Sequence, residues 1–376
     1  MDSRNGPPAR IGDRLEDIDT PALVVDLDAF ERNLAAMAQF ARENNIRLRP
    51  HAKTHKCVEV AKRQIALGAV GQCVQKVGEA EVLVAGGIED VLVSNQVVGA
   101  SKLDRLATLA SRATISLCFD DAEQILAASD AARRAGVTIG GLVEIETGMG
   151  RCGVPSGPPA CELAKRIANA PGLRLRGIQA YQGKAQHFRT TTERAAAIDV
   201  AVLAIRQTLD ALDRAGLKCE SITGAGTGTY RNEATSGLYT ELQCGSYAFM
   251  DADYAANRDE HGESVGDFAH SLFILTTTMS VAGGDWCVVD AGLKSFSGES
   301  GMPLVHERAG LSVVGLSDEH AKVVIAPGAT KPSLGAKLLL IPGHCDPTIN
   351  LHDHYVCVRK GRVEAIWEIG ARGASR

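Results

Sequence analysis

Hydrophobic positions along this chain fall into two textures, and the change comes after Asp253. Before it, short β-branched runs alternate with longer stretches of helical spacing. Residues 21–26 (PALVVD) read as a strand, and Leu27, Phe30, Leu34, Met37 and Phe40 recur at helix spacing across 27–44. Strand-like runs follow at 46–49, 71–74, 91–94, 114–119, 141–145, 173–180, 220–223 and 242–247. Helical stretches at 77–85, 101–111, 122–135, 159–169 and 191–215 lie between most of them. Roughly eight β/α units over about 220 residues predict a closed (β/α)8 barrel, with an open doubly wound sheet as the structural alternative. From Asp267 onward only β-like runs appear, at 270–281, 286–290, 311–315, 322–326, 337–341, 354–359 and 362–367, separated by turn residues. That second texture predicts an antiparallel β domain of about 110 residues. The expected division is a barrel over 25–264 and a β domain formed by 1–24 together with 265–376. Residues 1–18, rich in Pro and charge, read as a mobile lead-in.

One stretch of the first texture carries unusual charge. In IRLRPHAKTHK (46–56), Arg47, Arg49, His51 and Lys53 alternate with Ile46, Leu48, Pro50 and Ala52, so in an extended strand the four basic groups share one face. A solvated edge strand would account for that pattern. A pocket-facing strand would instead require an anion, or a lysine that sheds its proton, because buried positive charge is costly. A desolvated lysine of this kind is the nucleophile that forms Schiff bases. Which reading holds depends on the fold; in the pocket reading the amine of Lys53 would stand unprotonated at the top of the barrel. His55 and Lys56, past that position, are expected to be structural.

Composition sets the limits. The 376 residues are 45% hydrophobic and 23% charged with a formal charge of -5. That is ordinary for a globular chain and gives no global field for nucleic acid. No apolar run approaches a membrane span, and the N-terminal residues lack the apolar core of a signal peptide, so a cytoplasmic protein with no membrane partner is expected. Ten cysteines without a CxxC pair read as small buried hydrophobes.

Barrel chemistry sits at the C-terminal ends of strands. There the chain places His51 and Lys53, then Glu146 to Arg151, then Tyr181-Gln182-Gly183 with His187 close behind. The late loops 224–229 (GAGTGT) and 245–247 (GSY) are rich in small residues whose amides can cradle a phosphate. In the β domain, Gly343-His344-Cys345-Asp346-Pro347 offers an imidazole and a carboxylate two residues apart. In a strand or turn these would share a face, with Cys345 pointing away, and would form half of a divalent-metal site. A plain surface turn, with His352 and His354 flanking a strand, is the alternative.

The runs RPHAKTHK, ETGMGRCG, YQGKAQH, GAGTGTY, ELQCGSYAFMD and PGHCDPT occur in this order. Together they resemble the D-threonine aldolase and D-serine dehydratase subgroup of the pyridoxal-phosphate enzymes built like alanine racemase. The resemblance runs from about Asp19 to Gly373. It implies a barrel plus β domain, a homodimer with active sites near its interface, pyridoxal 5'-phosphate as cofactor, and a divalent metal. It implies Lys53 as the Schiff-base lysine and Arg151 as partner of the cofactor's phenolic oxygen. Thr227, Gly228, Gly245, Ser246 and Tyr247 would hold the phosphate, and His51 and Tyr181 join the cofactor-binding set. His344 and Asp346 would bind the metal, and His187 would act as the base. The dehydratase pattern places Cys where this chain has Asp346, a hard ligand that favours manganese first, with magnesium or zinc as alternatives.

The implied reaction is retro-aldol cleavage of a small D-3-hydroxy amino acid, D-threonine giving glycine and acetaldehyde. The rival readings are a 3-hydroxy-D-aspartate aldolase (glycine and glyoxylate), a D-serine dehydratase, and a non-catalytic pyridoxal-phosphate carrier. Alanine racemization would need a second base that the sequence does not identify.

Overall fold

The computed structural model describes residues 6–376, so the first five residues of the expected lead-in lie outside the described residues. Strand β1 (Ala22–Asp26) ends where Asp26 accepts a hydrogen bond from the amide of Ala29 and so caps helix α1 (Leu27–Glu43). The barrel strands are β2 (Arg47–Leu48), β3 (Gln72–Val74), β4 (Asp90–Val93), β5 (Thr114–Phe119), β6 (Ile139–Glu144), β7 (Leu173–Ala180), β8 (Ser221–Gly224) and β9 (Glu241–Leu242). They pair in the order β2-β9-β8-β7-β6-β5-β4-β3, all in parallel, and an isolated parallel bridge from His51 to Cys73 joins the two ends. The sheet therefore closes.

Around it run α2 (Val58–Ala66), α3 (Val77–Ala85), α4 (Ala100–Ala110), α5 (Ala122–Ala135), α6 (Pro158–Asn169), α7 (Thr191–Arg214) and α8 (Tyr230–Thr235). The short α2 carries no long apolar stripe and was not expected. Strand β9 is also shorter than the 242–247 run predicts. After Leu242 the chain turns at Gly245 into a 3-10 turn, Ser246–Ala248, because small residues there leave the loop free to bend over the barrel mouth. Helix α9 (Ala252–Ala255) then leads out of the barrel.

The second sheet contains β10 (Leu272–Ser280), β11 (Trp286–Val289), β12 (Leu304–Val305), β13 (Leu311–Leu316), β14 (Ala321–Ile325), β15 (Lys337–Ile341), β16 (His354–Arg359) and β17 (Arg362–Glu368), interrupted by α10 (Cys345–Ile349). Its order is β13-β14-β11-β10-β1-β16-β17, with β15 against β10 and β12 against β15. The expected antiparallel sheet needs one correction: β1 lies between β10 and β16 and pairs with β16 in parallel. The lead-in needs another. Ala9 and Ile18 are buried, and the amides of Gly12 and Leu15 donate to Val363 O (2.8 Å) and Gly361 O (3.0 Å), so residues 9–18 pack along the β16–β17 hairpin.

One aromatic stack joins the two sheets. Phe30 of α1 stacks on Phe249 and contacts Trp367, each at 5.7 Å between centroids, and Phe249 stacks on Tyr355 of β16 at 5.5 Å. All four rings are buried, each removing on the order of 150–250 Å² of surface from water. This packing holds α10 of the β domain over the C-terminal mouth of the barrel.

Candidate active site

The basic alternation enters the barrel. Arg47 stays partly exposed at the lower rim, while Arg49 and His51 are buried and Lys53 is partly exposed at the upper end. Carboxylates supply the anions that buried charge requires. Arg49 Nε lies 2.9 Å from Glu241 Oε1, and its Nη1 lies 2.7 Å from Asp90 Oδ1. His51 takes its Nε2 contacts from Gln75 (3.1 Å) and Ser94 (3.2 Å), and burial beside Lys53 pulls its pKa well below the ordinary value, so the ring is neutral.

Lys53 Nζ is ion-paired with Asp346 Oδ2 of the β domain. Burial pulls the amine's pKa down, but the Asp346 carboxylate and the Tyr181 phenol outweigh it and hold the pKa above the ordinary range. The sequence predicts an unprotonated amine; in the cofactor-free chain that amine has a carboxylate counter-ion. His55 and Lys56 are structural, with His55 Nδ1 accepting from Cys57 N (3.1 Å) and Lys56 paired with Glu79.

A cavity of about 160 Å³ opens above Lys53. Among its walls are His51, Thr54, Arg151, Tyr181, His187 and Thr227, with Gly245 and Ser246 at one end. Arg151 sits 5.7 Å from the Tyr181 ring centroid, and its Nη2 is 3.8 Å from the buried Glu144. At the glycine end, a Cβ on Gly245 would come within 2.5 Å of Thr54 Oγ1, and one on Gly226 would collide with the side-chain amide of Gln186. Thr54 Oγ1 is buried without a hydrogen-bond partner, which costs about 1–3 kcal/mol unless a ligand atom completes it. A lysine amine, a guanidinium, a phenol and a glycine-lined cradle beside an unsatisfied hydroxyl fit a phosphorylated pyridine aldehyde.

Two expected phosphate contacts are placed differently. Tyr247 is fully buried with its hydroxyl accepting from Gln64 Nε2 (3.1 Å), so its side chain turns away; its amide donates to Thr227 Oγ1 (3.0 Å). The amide of Gly228 is already bound by Gln186 Oε1 at 2.9 Å.

His344 and Asp346 reach the same mouth from the start of α10, with His344 Nε2 3.9 Å from Asp346 Oδ1. Of the strand or turn expected, His344 stands in a turn just before α10, and Glu299 fixes its ring from behind, Nδ1 to Oε1 at 2.7 Å. Cys345 does not point fully away: its Sγ is 3.4 Å from Asp346 Oδ1, and burial pushes its pKa well above the ordinary value, so it stays a thiol. Among the described residues no group of three or more His, Cys, Asp or Glu side chains could hold a metal ion. The chain offers two donors, a set that fits a cation completing its shell with water and substrate oxygens. His352 lies apart, bonded to Ser295 O at 2.6 Å.

His187 lies at the end of a 3-10 turn, Lys184–His187, half exposed at the cavity. Its Nδ1 is 2.6 Å from Asp253 Oδ2. The bond to Asp253 raises the ring's pKa, and the same pairing, with Arg189, outweighs burial and lowers Asp253 to about 2. The sequence reading missed Asp253, Arg189, Glu299 and Thr54. Their partners lie up to 66 positions away for Asp253 and 45 for Glu299, so no local spacing marks them.

A family model described as "Alanine racemase, N-terminal domain" matches residues 25–253, and one described as "Putative serine dehydratase domain" matches 271–358. The chain is 49% identical over 370 residues to a D-threonine aldolase of Arthrobacter sp., covering 98% of this chain and 97% of that one. It is 48% identical over 370 residues to a 3-hydroxy-D-aspartate aldolase of Paracoccus denitrificans, covering 97% and 95%. The crystal structure of D-threonine aldolase from Filomicrobium marinum matches with a TM-score of 0.95 at 50% identity, covering 98% of this chain and 99% of that one.

Proposed function

This chain belongs to the alanine-racemase-like family of pyridoxal-phosphate enzymes, and from that premise we propose that it is an aldehyde-lyase cleaving D-3-hydroxy amino acids, with D-threonine giving glycine and acetaldehyde. The observation that carries this reading is convergence. A lysine and a carboxylate-bound histidine from the barrel line one cavity, and the histidine–aspartate pair of the β domain meets it where Asp346 pairs with Lys53.

When bound, the cofactor supplies an electron sink for the pair left at Cα, and the divalent ion supplies an electrophile for the substrate oxygen. Lys53 would hold the cofactor through its amine, with the Arg151 guanidinium at the phenolic side. Thr54, Thr227, Gly245 and Ser246 would enclose the phosphate end. His344 and Asp346 would hold the ion, manganese before magnesium, since an imidazole stands beside the carboxylate. Asp346, which pairs with the Lys53 amine here, would be the carboxylate that such an ion takes up. His187, above the cavity, takes the proton from the substrate's 3-hydroxyl. The Cα–Cβ bond breaks, its electrons stay with Cα, and the aldehyde leaves. A proton returned to Cα completes glycine.

The relative that cleaves 3-hydroxy-D-aspartate is nearly as similar, so that substrate is the second reading. Arg189, the guanidinium beside His187, already donates to Asp253 and Asn257, so a second substrate carboxylate would share it with them. A homodimer in the cytoplasm is part of the proposal; no helix among the described residues is long and apolar enough to cross a membrane.

The test compares glycine release from D-threonine, D-serine and 3-hydroxy-D-aspartate. Chelation is expected to abolish release from D-threonine while the cofactor's visible absorption persists, and Lys53→Ala is expected to lose that absorption. Activity that survives chelation removes the ion from the reading.

A further inference from the structure

We infer that Asp253 is a positioning residue for His187, fixing the ring so that Nδ1–H donates to the carboxylate and Nε2 presents its lone pair to the cavity. This rests on the reading of His187 as the base. A neutral imidazole has one donor and one acceptor nitrogen, and the partner of one decides the role of the other. Asp253 Oδ2 lies 2.6 Å from Nδ1, within hydrogen-bond reach.

The carboxylate is itself held. Asp253 is buried, and Arg189 pairs with Oδ1 and donates from Nη1 to Asp253 O at 2.7 Å. The same Nη1 reaches Asn257 Oδ1 at 2.9 Å, and Asn257 Nδ2 donates to Gln186 O at 3.0 Å, one residue before His187. The loop that carries the histidine and the short helix that carries the aspartate are therefore locked by a closed ring of hydrogen bonds. Without it, a half-exposed histidine at the end of a 3-10 turn would rotate freely. An ion pair serving only to hold α9 would need Arg189 and Asp253 alone; the second oxygen would then have no reason to face the ring.

The charged groups around His187 are Asp253, Asp251 and Glu299 on the acidic side and Arg189 on the basic side, with the Tyr254 ring 6.5 Å away. Their balance leaves the ring more basic than a free histidine. A stronger base takes the hydroxyl proton more readily, but it is also charged and idle over a wider acidic range.

The test uses Asp253→Asn, which keeps size but lets an amide N–H donate to Nδ1 and so favours the opposite tautomer. In 15N-histidine spectra of the cofactor-free protein, the protonated and bare nitrogens of His187 are expected to exchange roles and the ring's titration midpoint to fall. In the loaded enzyme, kcat for D-threonine is expected to drop by about 10²–10⁴ with KM nearly unchanged, and Asp253→Glu to restore part of it. Ring nitrogens that do not change in Asp253→Asn overturn the positioning role. Should that variant fail to fold, the wild-type protein decides: a downfield Nδ1 proton that disappears in His187→Gln is expected, and its absence overturns the inference. Full activity in His187→Gln would instead overturn the base assignment beneath it.

Discussion

Glu233 carries a buried cost that the reaction does not use. It is fully buried in α8, its Oε1 accepts from Thr229 Oγ1 at 2.7 Å, and its Oε2 has no partner. Burial pushes its pKa up from 4.5 to about 7. Folding therefore binds a proton that the unfolded chain releases between those values. Its contribution is fully present below about pH 4.5, is lost as pH rises toward 7, and stays lost above. Glu233→Gln removes this slope while keeping an acceptor for Thr229. The variant is expected to melt close to wild type at pH 5 and to gain stability at pH 8, by at most roughly 3 kcal/mol. Equal melting shifts at both pH values would show that the carboxyl is not protonated in the fold. Single residues were legible in the sequence when alternation or a loop motif exposed them, as for Lys53 and Gly245. Asp253 was not, because a dyad made by two side chains from separate elements leaves no period.

Among the elements, the long amphipathic helices and the strands with continuous β-branched runs matched their expected ranges closely. Helix α3 covers Val77–Ala85 and α5 covers Ala122–Ala135, as their spacing predicts. What failed were elements set by tertiary contacts: the brief β9, the turn after Gly245, and the parallel pairing of β1 with β16. A bulge in β7 belongs with these. Gly141 faces Leu175 while Leu142 faces Gly177, so Arg176 is the extra residue. Gly177 has φ +147, and a Cβ there would collide with the backbone carbonyl of Ser221 in β8. Gly177→Ala is expected to cost more than about 2 kcal/mol in urea unfolding and to weaken cofactor binding, because β7 delivers Tyr181 to the cavity. An alanine variant of wild-type stability would mean that β7 and β8 can separate without cost.

Across the whole molecule, the site exists only while barrel and β domain hold their alignment, since Lys53 and Asp346 come from opposite sides of that junction. Besides the aromatic stack and that ion pair, a further polar contact crosses close to Lys53. The hydroxyl of Tyr355 in β16 donates to the carbonyl of His55 at 2.8 Å, two residues past Lys53, and both residues are buried. Tyr355→Phe keeps the ring on Phe249 but leaves that carbonyl without this donor, at a cost of about 1–3 kcal/mol. If the contact only adds stability, melting falls and cofactor affinity does not change. If it sets the height of the Lys53 loop against Asp346, cofactor affinity in the apoprotein should fall too, because small misplacements of a reacting group are expensive. We expect both to fall, measured by thermal unfolding and by titration of the apoprotein with cofactor. Lowered melting with unaltered affinity would show that the barrel alone positions the lysine.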